Sequence, residues 1–270
     1  MNNSPSHVEG FMPGRFSPRV YRVMASFAGR YLRKRIHGVW MVPGGTEIIR
    51  ALDDHDGPAI CAMNHSSWWD PIVGLYLHSR FTPSRVPCSP MDSAELVKFG
   101  FFRKAGIFGI DPDNPSSLEA MSHWVDRRFA EDVRPTLWIT PQGQFTDVRQ
   151  PVRPRPGIAT IAAAHPDAPV IGVAIEYTFW TDSKPEICIR ATRVPCPDQP
   201  SRTSWHRQIT QAMQENQDAL SAIVQKRDPS LLEPLAGVAA ARVHPVYDFW
   251  LRLRGRKADL DVTHRDGATR

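Results

Sequence analysis

Residues 58–71 read PAICAMNHSSWWDP and join a predicted strand to a predicted helix. The small and apolar residues 58–62 favour a strand, and the stretch from Pro71 onward favours an amphipathic helix. His65 and Asp70 lie at this junction, five residues apart. Positions five apart on one helix point about 140° away from each other. The two side chains therefore meet only if His65 lies in the turn and Asp70 in the first helical turn.

Such a pair predicts acid/base chemistry. Asp70 would hold one ring nitrogen of His65 and fix its tautomer, and the other nitrogen could take a proton from a hydroxyl. Ser66 or Ser67 could then cap the helix. The alternative is a histidine that only packs, since one His-x-x-x-x-Asp match is expected by chance in many chains of this length.

Three further motifs accompany the pair: GIFGID at 106–111, TPQGQFT at 140–146 and APVIGV at 168–173. With NHSSWWD at 64–70, they resemble, in order, the four blocks of the membrane-associated glycerolipid acyltransferases, the 1-acylglycerol-phosphate or lysophospholipid acyltransferase family. The resemblance covers roughly residues 55–195. It implies that His65 and Asp70 are the catalytic pair of an O-acyltransferase. It also implies an acyl-CoA or acyl-carrier-protein donor, a membrane lipid acceptor and no bound cofactor.

Three positions depart from the family pattern. Where the family has a second-block arginine and a third-block glutamate and arginine that hold the acceptor's glycerol phosphate, this chain has Pro112, Gln142 and Phe145. A guanidinium binds phosphate bidentately, and neither a ring nor a proline replaces it. We therefore expect an acceptor that is not glycerol-phosphate based. A conventional 1-acylglycerol-3-phosphate O-acyltransferase of phospholipid synthesis and a non-catalytic lipid-binding relative remain alternatives.

Five residues are predicted to contact substrate: Trp68, Asp111, Gln142, Gly143 and Arg155. Trp68 or Trp69 would line a groove while the other fills the core. Asp111 could form a wall of the site or a turn before the next helix. Gln142 could orient a neutral polyol or a backbone group, and amides near Gly143 could stabilise an oxyanion. Arg155, at a predicted helix start, could hold a phosphate.

The segment 11–40 contains seven Lys or Arg residues and no acidic residue. Helical spacing places Phe16, Val20, Val23, Phe27 and Tyr31 on one face. This pattern predicts a helix that lies on an anionic membrane surface. The alternative is a helix that packs on the domain and leaves its arginines in solvent. No apolar run reaches the ~20 residues of a membrane span, and no signal peptide is recognised, so we expect a cytoplasmic protein, peripheral on the inner face of the membrane.

Composition and missing motifs exclude several classes. The chain has 270 residues, a formal net charge of +5 and four cysteines, with no C-x-x-C pair or metal-ligand spacing. We therefore predict no metal site. No nucleic-acid-binding motif explains the positive charge, and no Gly-x-Ser-x-Gly elbow supports a serine hydrolase. The oligomeric state stays open.

The predicted elements alternate along the chain, which favours a single α/β domain. We expect a mixed, mainly parallel sheet flanked by helices, with an N-terminal amphipathic helical segment. Residues 1–37 form that segment, 38–235 the acyltransferase domain, and 236–270 a C-terminal helix and frayed tail. Predicted strands are 39–42, 59–63, 86–90, 107–111, 136–140, 170–177 and 186–191; predicted helices are 71–79, 93–101, 116–131, 157–165 and 201–225.

Overall fold

A computed structural model describes residues 8–131 and 134–237, and an eight-stranded sheet forms its centre. In space the strands follow the order β4-β3-β5-β2-β6-β7-β1-β8. Neighbours pair in parallel except β6 with β7 and β1 with β8. The sheet is therefore mixed and mainly parallel, as predicted. In chain order β1 to β8 are Gly38–Met41, Ala59–Met63, Val86–Asp92, Ile107–Ile110, Pro135–Ile139, Val170–Thr178, Glu186–Val194 and Glu233–Gly237.

Helices cover both faces of the sheet. Helices α1 to α7 are Pro18–Arg35, Gly45–Arg50, Asp70–Phe81, Ser93–Lys98, Pro115–Ala130, Gly157–Ala164 and Arg202–Val224, with 3₁₀ turns at Gly100–Lys104 and Pro229–Leu231. Short connections lead from β1, β2, β3 and β4 into the helices that follow them, as is usual in an α/β domain, whereas residues 140–156 separate β5 from α6.

The alternating side chains of β2 divide the core between two faces. Ile60 and Ala62 pack with α5, α6 and α7. Ala59, Cys61 and Met63 pack with α1, α2 and α3 on the other face. Because every residue of β2 is buried, the strand reads as a continuous apolar run, as expected of a central parallel strand.

Helix α1 is the predicted N-terminal amphipathic helix, and part of it packs on the domain. Tyr21, Ala28, Gly29 and Leu32 are its buried residues. Arg33, Lys34 and Arg35 lie in its last turn, where positive charge interacts favourably with the helix dipole. Within the described residues, no helix combines the length and apolar character that crossing a membrane requires.

The C-terminal prediction falls mostly outside the described residues. Residues 236 and 237 end β8, and the predicted helix and tail from 238 onward lie beyond the described part of the chain.

The central position of β2 decides where the polar loops meet. β2 pairs in parallel with β5 on one side and β6 on the other. The carboxyl ends of all three strands therefore lie at one edge of the sheet, where open α/β sheets hold their sites.

Candidate active site

His65 and Asp70 meet at the carboxyl end of β2. The strand ends at Met63, His65 lies in the following turn, and Asp70 is the first residue of α3. The His65 Nδ1 and Asp70 Oδ2 atoms are 2.8 Å apart. The Asp70 side chain is fully buried, whereas 18% of the His65 side chain is exposed. With Nδ1 bonded to the carboxylate, Nε2 is the ring nitrogen left for another partner.

Four donors fix the Asp70 carboxylate. Besides His65, the backbone N–H groups of Ser66 and Ser67 donate to Oδ2 at 2.8 and 2.9 Å. The Tyr177 hydroxyl donates to Oδ1 at 2.6 Å. Since both oxygens are bonded from different directions, the carboxylate is held in one orientation toward the imidazole.

Tyr177 is a site residue that sequence reasoning missed. It lies near the end of β6, four residues beyond Val173, which pairs with the last residue of β2. Burial and the Asp70 charge raise the pKa of Tyr177 well above its usual value. The phenol therefore stays protonated and donates a hydrogen bond to the carboxylate. The available signal was a tyrosine at the end of a predicted strand, but only the strand order brings it next to Asp70.

The backbone of His65 is fixed by the loop after β5. The His65 N–H donates to Gln142 Oε1 at 2.9 Å, and the His65 carbonyl accepts from the Thr146 N–H at 2.7 Å. Gln142 is buried. Of the two roles expected for its amide, the structure therefore shows contact with a backbone group.

Aromatic rings flank the imidazole. The Phe145 ring lies 4.3 Å from the His65 ring between centroids. The Trp68 ring lies 5.2 Å from the Phe145 ring between centroids. Trp68 is 66% exposed and Phe145 is 46% exposed, so both rings offer apolar surface to a ligand beside His65. Phe145 occupies the position where the family resemblance leads one to expect an arginine.

Trp69 turns away from that wall. Its ring stacks on Tyr31 of α1 at 5.2 Å and packs against the core on that face. Trp69 is also the N-cap of α3, and its N–H donates to Ser67 Oγ at 3.2 Å. The expectation that Ser66 or Ser67 would be the cap residue is therefore wrong. The backbone N–H groups of both serines instead donate to the Asp70 carboxylate, and the helix begins after Trp69.

Arg155 links the loops of the second and third motifs. Its N–H donates to the Pro141 carbonyl at 2.7 Å. Its Nη1 donates to the Pro112 carbonyl at 2.9 Å and lies 3.2 Å from Asp113 Oδ1. The guanidinium is half exposed, so it holds two loops together and still faces solvent.

Gly143 allows this close approach. Its φ of +68° lies in the left-handed region, and an added Cβ would lie 3.0 Å from Arg155 Nε. Its N–H donates to the Thr140 carbonyl at 3.1 Å. In this state the Gly143 amide therefore closes a turn, and an oxyanion donor from this loop would have to come from a neighbouring amide.

Asp111 makes the contacts of a turn residue. Its Oδ1 accepts from the Asp113 N–H at 3.0 Å, and its own N–H donates to Ser117 Oγ at 2.9 Å. The cap residue of α5 is Asn114, whose side chain accepts from the Ser116 N–H. These bonds match the turn interpretation of Asp111 and show no direct contact with the dyad among the described residues.

The predicted site residues thus fall into three groups. The first contains His65, Asp70 and Gln142, which are directly hydrogen-bonded. Trp68 is linked to this first group through Phe145. Gly143 and Arg155 form the second group, a contact in the adjacent loop. Asp111 belongs to a separate turn. Within the described residues, no cluster of three or more His, Cys, Asp or Glu side chains is arranged to hold a metal ion.

Comparison with known proteins gives two findings. The model of the family described as Acyltransferase matches residues 44–176, which include the dyad, the loop after β5 and most of β6. The fold is similar to the crystal structure of the 1-acyl-sn-glycerophosphate (LPA) acyltransferase PlsC from Thermotoga maritima. The TM-score is 0.54 with 14% sequence identity, over 75% of this chain and 80% of that one. No curated protein sequence matches significantly.

Proposed function

We propose that this chain, whose residues 44–176 match the model of the Acyltransferase family, is a glycerolipid acyltransferase that moves a fatty acyl group from a thioester donor to a lipid hydroxyl through general-base catalysis by His65. The observation that carries the proposal is the 2.8 Å contact between His65 Nδ1 and Asp70 Oδ2. It fixes the tautomer in which Nε2 has a free lone pair. The fixed backbone of His65 and the buried, four-donor carboxylate support the same role.

The proposed reaction proceeds without a covalent acyl-enzyme. The acceptor oxygen attacks the thioester carbonyl while His65 Nε2 removes the hydroxyl proton, and Asp70 stabilises the imidazolium. The tetrahedral intermediate then collapses, the carbon–sulfur bond breaks, and the imidazolium returns the proton to the leaving thiolate. General-base assistance of this kind contributes about 10²- to 10⁴-fold in rate.

We further propose that the acceptor is not glycerol-phosphate based. The wall beside His65 is made by Phe145 and Trp68 rather than by a cation. The nearby guanidinium, on Arg155, already bonds to Pro112 and Asp113. A neutral hydroxylated or glycosylated lipid fits apolar rings better than a phosphate does. Lysophosphatidate is the acceptor of the alternative, conventional activity.

A transfer assay tests both parts of the proposal. Wild type and His65→Ala are supplied with labelled acyl-CoA or acyl-carrier protein, and with lysophosphatidate beside neutral lysolipids and glycolipids. We expect transfer to a neutral acceptor and a loss of at least about 10²-fold in His65→Ala. His165→Ala is the control, because His165 forms a second His–Asp pair, with Asp126 at 2.8 Å, between α5 and α6.

Each outcome has a definite meaning. Transfer to lysophosphatidate alone would contradict the acceptor proposal and identify the conventional enzyme. Binding of lipid with no transfer that depends on His65 would favour the non-catalytic relative. Retention of a tenth of the wild-type rate in His65→Ala would rule out the general-base mechanism.

We also propose that α1 binds an anionic membrane surface at the inner face of the membrane. The helix packs on the domain through one face, yet Val23 and Phe27 on another face are 68% and 56% exposed. Arg19, Arg22 and Arg30 are exposed around them. An exposed apolar stripe flanked by arginines is the pattern of an interfacial helix.

A further inference from the structure

A second exposed apolar cluster lies in the segment 97–104, far from α1 in sequence. Val97, at the end of α4, is 68% exposed, and Phe99 and Phe101 are 43% and 55% exposed. Phe102 contacts both phenylalanine rings, at 5.8 and 4.3 Å between centroids. The three rings are therefore contiguous, with Val97 two residues before Phe99, and contiguous exposed apolar surface is typical of an interaction site.

Basic residues lie within and directly after this cluster in the chain. Lys98 lies between the apolar residues, and Arg103 and Lys104 follow them. The acidic neighbours in the chain are Asp92, the N-cap of α4, and Glu95, which pairs with Lys98 at 2.7 Å. Lys104 is exposed. The segment thus combines apolar side chains with a positive balance, the combination that favours the headgroup region of an anionic bilayer.

The segment lies in the same layer as α1. In β4, Phe108 packs into the core under α5, whereas Gly109 faces Leu96 of α4. Helix α4 is therefore on the opposite face of the sheet from α5. Helices α1 and α3 also lie opposite α5, where they pack on the Ala59, Cys61 and Met63 side of β2.

Backbone hydrogen bonds also join the segment to the start of α1. The Arg15 N–H donates to the Arg103 carbonyl and the Ser17 N–H to the Lys104 carbonyl, both at 2.8 Å. The two exposed apolar clusters are thus connected parts of one layer.

We infer that residues 97–104 are a second membrane-binding element, whose Val97, Phe99 and Phe101 side chains enter an anionic bilayer in concert with α1. The inference rests on the proposed lipid-directed function and adds a second point of contact. Two separated anchors fix the orientation of a protein on a surface, which a single helix does not do. A second copy of the chain is the less favourable occupant, because protein interfaces are depleted in lysine and need about 800 Å² per partner.

Vesicle flotation tests the inference with the full chain. Wild type, Phe99→Ser/Phe101→Ser and Val23→Ser/Phe27→Ser are mixed with phosphatidylglycerol-containing vesicles and with vesicles of phosphatidylcholine alone. We expect each double variant to lower the partition coefficient about tenfold or more, since each removes two buried aromatic or aliphatic side chains from the bilayer. Leu118→Ser is the control, because Leu118 is partly exposed on α5, in the opposite layer.

A second probe reports insertion directly. In Phe101→Trp, we expect vesicles with brominated acyl chains to quench the added emission, whereas Leu118→Trp should show no added quenching. Unchanged flotation of Phe99→Ser/Phe101→Ser together with unquenched Phe101→Trp would overturn the inference and leave α1 as the anchor. Wild-type self-association that Phe99→Ser/Phe101→Ser abolishes, with flotation unchanged, would likewise overturn it in favour of a protein interface.

The transfer assay separates this inference from the proposed function. With a water-dispersed short-chain acceptor, Phe99→Ser/Phe101→Ser should retain the wild-type rate, because the altered residues lie outside the dyad. Loss of flotation with that rate retained supports the membrane element. If flotation depends on Phe99 and Phe101 but no transfer depends on His65, the membrane element is supported and the proposed function is contradicted.

Discussion

The Tyr177 hydroxyl donates to Asp70 from a residue 107 positions later in the sequence, farther than the other donors to the dyad. In Tyr177→Phe, Asp70 Oδ1 loses its donor and the carboxylate attracts the imidazolium form of His65 more strongly. We expect the acid limb of the kcat/KM profile to move to higher pH and kcat to fall about tenfold, the value of one such bond.

Tyr76→Phe is the matched control for this prediction. Tyr76 lies on α3, as Asp70 does, but its hydroxyl donates to the Leu235 carbonyl at 3.0 Å. It should lose a similar amount of stability and keep the wild-type pH profile. If both variants moved the profile equally, Tyr177 would have no special role in positioning Asp70.

Gly143 gives a second prediction for a single residue. Gly143→Ala forces a side chain into a left-handed backbone and against Arg155 Nε, which should cost about 1–2 kcal/mol of unfolding free energy. Displacement of Arg155 should also raise the KM of whichever substrate, acyl donor or acceptor, Arg155 contacts. Gly44→Ala is the control, since Gly44 has a φ of +83° with no atom within 4 Å of the added Cβ. It should show the backbone cost alone, and an equal KM effect in both variants would contradict a role for Arg155.

The sequence predicted the dyad geometry because both residues belong to one local turn. The spacing of His65 and Asp70 requires a strand-to-helix turn between them, and apolar patterning indicates where that turn lies. Tyr177 and Thr146 could not be placed in this way. Their contacts depend on which strands are neighbours, and that order is set by packing of the whole sheet.

Among the elements, those with a clear apolar pattern were predicted closely. The strand at 59–63 has the predicted bounds, and α3, α5, α6 and α7 differ by one or two residues at their ends. The predicted helix 93–101 ends at Lys98 and continues as a 3₁₀ turn from Gly100, where glycine disfavours regular helix.

Two elements gave no usable signal. Helix α2 has six residues and begins at Gly45, so it is too short for periodicity to reveal it. Strand β8 contains Pro234 and lies at an edge of the sheet, paired with β1 alone. Proline argues against a central strand but is tolerated at an edge, and the sequence alone does not say which strand is outermost.

For the whole molecule, buried His78 predicts a loss of stability in acid. Burial lowers the pKa of His78 from 6.5 to about 4. Its Nδ1 accepts from Trp138 Nε1 at 3.0 Å, so the folded state has no room for a second ring proton there. Between pH 6.5 and about 4, His78 binds a proton in the unfolded chain but stays neutral in the folded protein. The unfolding free energy should therefore fall by about 3 kcal/mol as the pH drops to about 4.

Urea unfolding at pH 7 and at pH 4.5 measures this loss. His78→Gln should reduce the difference between the two values, because the titrating group is gone from both states. His165→Gln, at the partly exposed Asp126 pair, should leave the His78 contribution in place. An unchanged pH dependence in His78→Gln would show that other groups cause the acid loss.

The stack of Phe27, Tyr31 and Trp69 joins the outer face of α1 to the start of α3, with ring centroids 5.3 and 5.2 Å apart. Trp69 immediately precedes Asp70 in the chain. In the proposed lipid-bound state, a displacement of Phe27 would reach the residue before Asp70 through two ring contacts. We therefore predict that, if α1 binds lipid as proposed, membrane binding changes the rate of acyl transfer.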